Sequence, residues 1–136
     1  MKRFLPALLL IAVLVSCSPM RFTTRTRGQV YTRETPVAVI PFYDPSDYGT
    51  EELYKQLDRY KFDQVSYYNK RKGKEYVLEI VCASKQSNRN EYTTFNATLS
   101  DGKSGHIILR ASQRGSRDAR ATMRDLVQKM AQVIKP

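Results

Sequence analysis

The chain reads as a single α/β domain of the α+β kind, two layers deep. The expected sheet is mixed, mainly antiparallel and of about five strands, with two helices, in the order β-α-β-β-β-β-α. Three observations point there. A continuous apolar run, Val37-Ala38-Val39-Ile40, has the composition of a strand covered on both faces. Two segments, 51–61 and 116–134, repeat apolar residues at helical spacing. Between them lie β-rich runs separated by Gly, Asn and Asp turn chemistry, and helices packed on one side of a sheet bury such elements economically.

The first element precedes the domain. Met1-Lys2-Arg3 is basic, and Phe4 to Val15 is a 12-residue apolar block containing Pro6. A spanning helix needs about 20 apolar residues, so the block is too short, and its layout is that of a secretory signal. Leu14-Val15-Ser16-Cys17 resembles the lipobox of bacterial lipoproteins. The resemblance implies cleavage between Ser16 and Cys17 and acylation of the Cys17 thiol and its new amino group. Two or more acyl chains, each contributing about 0.8 kcal/mol per buried CH₂, make a stable anchor where one does not. In that family an aspartate directly after the cysteine favours inner-membrane retention. Here Ser18 stands there, which implies sorting to the outer membrane, facing the periplasm.

Removing residues 1–16 leaves 120 of the 136 residues, about one domain. The leader carries two of the 23 basic residues, so 21 remain against 13 acidic ones, a formal charge of +8. This excess suits anionic partners; export argues against nucleic acid. With Cys17 acylated, Cys82 is the one thiol left, so no intramolecular disulfide is expected. Within "EYVLEIVCA" Cys82 reads as a buried, inert strand residue.

Residues 17–36 form the lipidated cysteine and a polar, basic tether containing Arg21, Arg25, Arg27 and Arg33. The domain is expected from 37 to 136. Pro36 and Pro41 bracket the first strand. "YDPSDYGT" is loop chemistry, Thr50 a plausible N-cap, and Glu51 to Lys61 a short amphipathic helix on Leu53, Leu57 and Tyr60. "DQVSYYN" reads as a brief strand, "NKRKGK" as a charged turn, and "EYVLEIVCASK" as a central strand. In "EYTTFNATLS" the alternation places Thr93, Phe95, Ala97 and Leu99 on one face and Thr94, Asn96 and Thr98 on the other. "DGKSG" is a hairpin turn and "HIILRASQ" the returning strand. Ser116 is expected to cap the last helix, with Met123, Leu126, Val127, Met130, Val133 and Ile134 forming its apolar face. Arg117, Arg120 and Arg124 then fall in a sector about 60° wide beside that face, a possible partner contact. No internal repeat is present.

"VAVIPF", a helix, "FDQVSYYNKR", "YVLEIV", the hairpin "LSDGKSGHII" and a closing helix together resemble a class of small envelope domains. These include the amino-terminal domain of TolB, the CsgG secretion lipoprotein and the LpoB-type activators. The resemblance implies docking to envelope partners and brings no catalytic residues.

Catalytic signals are sparse. "SDGKSG" lacks the glycine five positions before its Gly-Lys pair, where Ala97 stands, and lies between strands instead of opening a helix. His106 is the one histidine, so no His-based metal cluster is available, and Ser104 and Asp101 beside it occupy a hairpin end. Asp44 and Asp47 fall short of a calcium loop. Glu75 and Glu79 are paired carboxylates on a strand. "NAT" at Asn96 reads as a chance acceptor match. The tyrosines, among them Tyr54, Tyr60, Tyr67, Tyr68, Tyr76 and Tyr92, read as half-buried packing residues.

The expected function is thus a lipid-anchored, non-enzymatic docking or accessory component of the cell envelope, with no cofactor and no metal. It is held to the membrane through Cys17 and bound to an envelope protein partner. A subunit of a homo-oligomeric envelope or secretion assembly is the alternative, and a cell-wall hydrolase the third reading. Oligomeric state is left open by the sequence.

Overall fold

A computed structural model describes residues 20–66 and 68–136. The leader, Ser16, Cys17 and Tyr67 lie outside the described residues. The elements are β1 (Arg21–Thr24), β2 (Tyr31–Thr32), β3 (Val37–Val39), α1 (Gly49–Arg59), β4 (Gln64–Val65) and β5 (Tyr76–Lys85). They are followed by β6 (Asn88–Asp101), β7 (Ile107–Ser112), β8 (Arg117–Asp118), α2 (Ala119–Val133) and β9 (Ile134–Lys135). The main sheet runs β1-β7-β6-β5-β3-β4, with β8 added to β6. β3 is parallel to both its neighbours, joined to β4 through α1, while β5, β6, β7 and β1 are antiparallel. This is the mixed, mainly antiparallel two-layer domain that the periodicity predicts, with two helices.

Both helices lie on one face of the sheet. Leu53 and Leu57 of α1 meet Met123, Leu126, Val127 and Met130 of α2 above Leu78, Ile80, Phe95, Ala97, Leu99 and Leu109. Val37 and Ala38 are covered on both sides, as a continuous apolar strand requires. On the opposite face Glu79, Val81, Ala83, Thr94, Asn96 and Arg110 are exposed.

The largest departure is the segment expected as a tether. From Met20 onward it is part of the fold. Met20 is buried, β1 pairs with β7 along the sheet edge, and β2 pairs in parallel with β9. Arg33 does not face solvent as a linker residue would. Its guanidinium donates to the carbonyls of Tyr60, Ala131 and Ile134 and lies over the Phe62 ring. Polar composition concealed these strands because β1 is an edge strand with one face exposed, and β2 contributes only two residues.

A bulge corrects one face assignment. Ala83 pairs with Thr94 but Ser84 with Tyr92, so Thr93 is left over and the alternation inverts. Tyr92 is therefore fully buried, stacked on Phe95, and Thr93 is only half-buried. The hairpin glycine Gly102 also has a specific cause. Its N–H donates to Glu75 O at 2.9 Å, and a Cβ there would lie 2.2 Å from that oxygen. Close backbone approach, not phosphate binding, is what this glycine serves.

Candidate functional site

The three arginines expected to form one basic helix face are separated by their local partners. Arg117 lies in β8, ahead of α2, because the helix begins at Ala119 with Asp118 as N-cap; the Asp118 carboxylate accepts from Ala121 N at 3.0 Å. Ser116 is therefore not the cap. Arg117 forms an ion pair with Asp125 in the second turn of α2. Arg124 reaches across to α1, where its Nη2 is 3.4 Å from Glu52 Oε1. Arg120 is exposed and makes no ion pair, its guanidinium stacked 4.1 Å from the centroid of the Tyr48 ring. The sector is thus not a free basic stripe. Arg120 and Tyr48 remain as an exposed cation–π pair.

Beneath that pair the interhelical seam is polar. Glu52 and Gln56 project from α1 at a spacing of four and are both buried, and Gln56 Nε2 donates to Glu52 Oε1 at 3.0 Å. Removing a buried glutamate from water is costly unless it is paired. Arg124 and Gln56 supply that pairing.

The start of α1 is organised by Asp44, not by Thr50. One Asp44 oxygen accepts from Ser46 N, Ser46 Oγ and Tyr92 Oη; the other accepts from Thr50 N and Thr50 Oγ1. Burial pushes the carboxyl upward, but the hydrogen bonds from Thr50, Ser46 and Tyr92 together outweigh it. The net effect holds Asp44 below the usual carboxylate range. Asp44 is thus a cap and a brace between the β3–α1 loop and β6. Asp47 lies outside this network, its N–H donating to Asn90 Oδ1. Among the described residues no cluster of three His, Cys, Asp or Glu side chains is assembled.

Cys82 lies beside this brace, buried, with Sγ 3.6 Å from Tyr43 O. Burial, and next the Asp44 charge, push its thiol up to about 11. It is an unreactive strand cysteine. His106 closes a hairpin, its Nε2 2.6 Å from Arg25 O, and Asp101 is occupied by the hairpin's own donors. Glu75 precedes β5 and Glu79 lies four residues on, exposed on the uncovered face, with Val77 between them. Ser104 Oγ donates to Asp101 at 3.2 Å, but His106 meets that serine through its backbone N–H and its ring faces Arg25 O, so the three do not form a relay.

The surface that sequence reasoning missed is the uncovered sheet face. Val81 is 71% exposed at its centre, opposite Asn96. The signal was present in "YVLEIVCA", where both parities are apolar although only one of them packs on the helices.

The site and fold define a small two-layer α+β domain with an open sheet face and a polar helix layer. No family model matches the chain, and no curated protein sequence matches it. Among solved structures, the chain is similar to a PelC dodecamer from Paraburkholderia phytofirmans carrying one methionine substitution, crystallised in space group C2. The TM-score is 0.53 at 16% identity, over 82% of this chain and 94% of that one. A second PelC dodecamer from the same organism, in space group P6, matches with TM-score 0.47 and 16% identity over 85% of this chain and 94% of that one. The first match shows a shared fold. No helix among the described residues is long and apolar enough to cross a membrane.

Proposed function

We propose that this chain is a lipid-anchored protein of the bacterial cell envelope whose domain assembles with copies of itself. Acylated Cys17 would hold it in the periplasmic leaflet of the outer membrane. Its role is architectural and non-enzymatic. The observation that carries this reading is the fold shared with PelC, whose solved structure is a dodecamer. Two features support it. The lipobox-like Leu14-Val15-Ser16-Cys17 precedes Met20, which is buried in the domain. The sheet face bearing Val81 is uncovered over four strands, and its centre, with Val81, Ala83, Thr94 and Asn96, offers a surface for packing against an identical neighbour.

The test is native mass spectrometry of the full chain in a non-ionic detergent, with the mass of its amino-terminal peptide read in the same sample. The expected result is one closed oligomer of diacylated or triacylated subunits starting at Cys17. A monomer at the highest attainable concentration removes the assembly, and an unmodified amino-terminal thiol removes the anchor.

A specific observation supports docking to a different envelope protein as well. Arg120 stacked on Tyr48, with Tyr54 also exposed on α1, places two residue types enriched at binding hot spots on one surface of the helix layer. The two readings use opposite faces of the domain and are compatible.

A further inference from the structure

The β1–β2 loop and the β6–β7 hairpin face each other across a cavity of about 550 Å³. Thr23, Arg25, Arg27, Ser104, Gly105, His106, Ile107 and Arg110 line it, with no carboxylate among them. We propose that this cleft binds a phosphate-bearing ligand, with Arg25, Arg27 and Arg110 as its anion-holding residues.

The backbone prepares the site. Beyond the last β1 residue, Arg25 N donates to Ile108 O at 2.8 Å, so Arg25 is held against β7. The chain then reverses in a turn closed by Gln29 N on Thr26 O, and its two central residues, Arg27 and Gly28, have φ of 52° and 75°. Both are left-handed, the geometry of a type I′ turn, which favours Asn, Asp or Gly at each position. An arginine in the first of them opposes the local preference, and such positions gather at ligand sites.

The opposite wall is held as firmly. A carbonyl oxygen has no proton, so the 2.6 Å contact between His106 Nε2 and Arg25 O places a proton on Nε2 and ties the hairpin to the loop. Arg110 rises from the middle of β7, flanked in register by Thr23 on β1 and Thr98 on β6.

The three guanidinium groups are unpaired among the described residues. Among the described residues, the guanidinium groups of Arg25, Arg27 and Arg110 take part in none of the ion pairs or side-chain hydrogen bonds, whereas those of Arg33, Arg117 and Arg124 do. Asp101, at the hairpin mouth, keeps its charge but directs its oxygens to Lys103 N and Ser104 Oγ within its own hairpin, and Glu79 lies two strands away from Arg110 along its row. Three cations lining one cleft repel one another, and a bound anion relieves that repulsion.

The chemistry selects phosphate. Guanidinium forks arriving from two walls suit a tetrahedral oxyanion, which accepts from several directions and carries up to about two charges. A carboxylate offers two oxygens in one plane. The Thr23 hydroxyl adds a neutral donor beside the charged ones, whereas the Ser104 hydroxyl proton is already given to Asp101. The volume exceeds that of a single phosphate and falls within the roughly 300–1,000 Å³ of small-ligand pockets, leaving room for the esterified group. The phosphate can come from a soluble ester or from a lipid headgroup.

The experiment uses the full chain in non-ionic micelles and follows arginine Nε–H and His106 ring resonances by NMR at constant ionic strength. One arm titrates inorganic phosphate and glycerol 3-phosphate, with acetate as the planar comparison. The other dopes the micelles with phosphatidylglycerol. Saturable shifts confined to Arg25, Arg27, Arg110 and His106, weakened about tenfold in each of Arg25→Gln and Arg110→Gln, are expected. Tighter saturation by glycerol 3-phosphate identifies a soluble ester; tighter saturation by phosphatidylglycerol identifies a headgroup. Absence of saturation, or equal shifts at Arg21, Arg89 and Arg114 outside the cleft, overturns the site. The soluble arm repeated on Cys17→Ser is independent of the anchor, and repeated on Val81→Lys it is independent of assembly through the open sheet face, so its failure is separable from theirs.

Discussion

Arg33 Nη2 donates to the carbonyl oxygen of Ala131 at 2.8 Å, while its Nη1 and Nε reach Tyr60 O and Ile134 O at 3.0 and 3.1 Å. Those carbonyls belong to the carboxyl-terminal ends of both helices. The last turn of a helix leaves carbonyls without intrahelical partners and carries partial negative charge. One planar cation therefore closes two helix ends at once and ties the amino-terminal segment to them. Arg33→Met should lower stability by about 2–4 kcal/mol, from several charge-assisted hydrogen bonds lost at a half-buried site. Arg33→Lys should recover little, because one ammonium cannot reach three diverging oxygens from its shorter stem. Urea unfolding with an unchanged m-value checks both; a loss below about 1 kcal/mol for Arg33→Met would show that solvent caps the helices equally well.

Gly49 opens α1 at a place where side chains leave no room. A Cβ there would sit 1.9 Å from Tyr92 Oη, 2.6 Å from Ser46 Oγ and 2.8 Å from Asp44 Oδ2. Gly→Ala within a helix ordinarily stabilises by up to about 1 kcal/mol. Here the sign should reverse, with Gly49→Ala destabilising by about 2–3 kcal/mol through overpacking. Adding Tyr92→Phe removes the nearest atom. In a double-mutant cycle the pair should therefore be less destabilised than the sum of the single variants. Simple additivity would mean that the overlap is not the cause.

Asp44 makes the fold sensitive to acid. Its carboxyl titrates below its ordinary value of 3.8, so the folded state holds fewer protons than the unfolded state as pH falls through that value. The stabilisation is complete above the unfolded value and is lost as pH drops through the lower, folded one. Asp44→Asn keeps the shape but replaces one acceptor oxygen, serving Thr50 or Tyr92, with a donor. The variant should be less stable near neutrality, by about 2 kcal/mol, and its stability should fall less steeply below the ordinary carboxylate range. Parallel acid limbs for the two proteins would assign the pH dependence to other carboxylates.

The elements that sequence pattern exposed most clearly are those whose periodicity is set by one buried face. Leu53 and Leu57, and Met123, Leu126, Val127 and Met130, line their helices as their spacing requires. What stayed hidden has local causes. Tyr92 replaced Thr93 in the core because a single bulge inverts the alternation, and nothing in "NEYTTF" marks where the extra residue falls. β1 is held by backbone pairing to β7, which any polar sequence can supply. The arginine sector is divided for a different reason. Its helical wheel was right for Arg120 and Arg124, but partners on other elements, Glu52 and Tyr48, determine which charge remains available.

Val81 gives the assembly reading a point test. It is 71% exposed in mid-strand, so replacing it should leave the monomer's core untouched. If copies pack through this face, Val81→Lys introduces a cation at each contact, where burying an unpaired charge is prohibitive. The expected outcome is dissociation to monomers with unchanged circular dichroism and an unchanged urea midpoint. An intact oligomer in the variant would place the interface on another surface.

Charge reversal on the helix layer needs care in the choice of residue. Arg124→Glu would set a second carboxylate beside Glu52, whose side chain is only 8% exposed and already lies across the seam. The variant should lose about 2–3 kcal/mol of stability from an unpaired buried charge, so weaker capture of a partner by it would report folding as much as contact. Arg120 avoids that difficulty because its guanidinium rests on the outer side of Tyr48 and pairs with no acid. Arg120→Ser should therefore change stability by less than about 0.5 kcal/mol. If the helix layer is a docking surface, the same variant should lower recovery of the partner in crosslinked envelopes several-fold. Unchanged recovery from a folded Arg120→Ser protein would leave the Arg120–Tyr48 pair as surface packing alone.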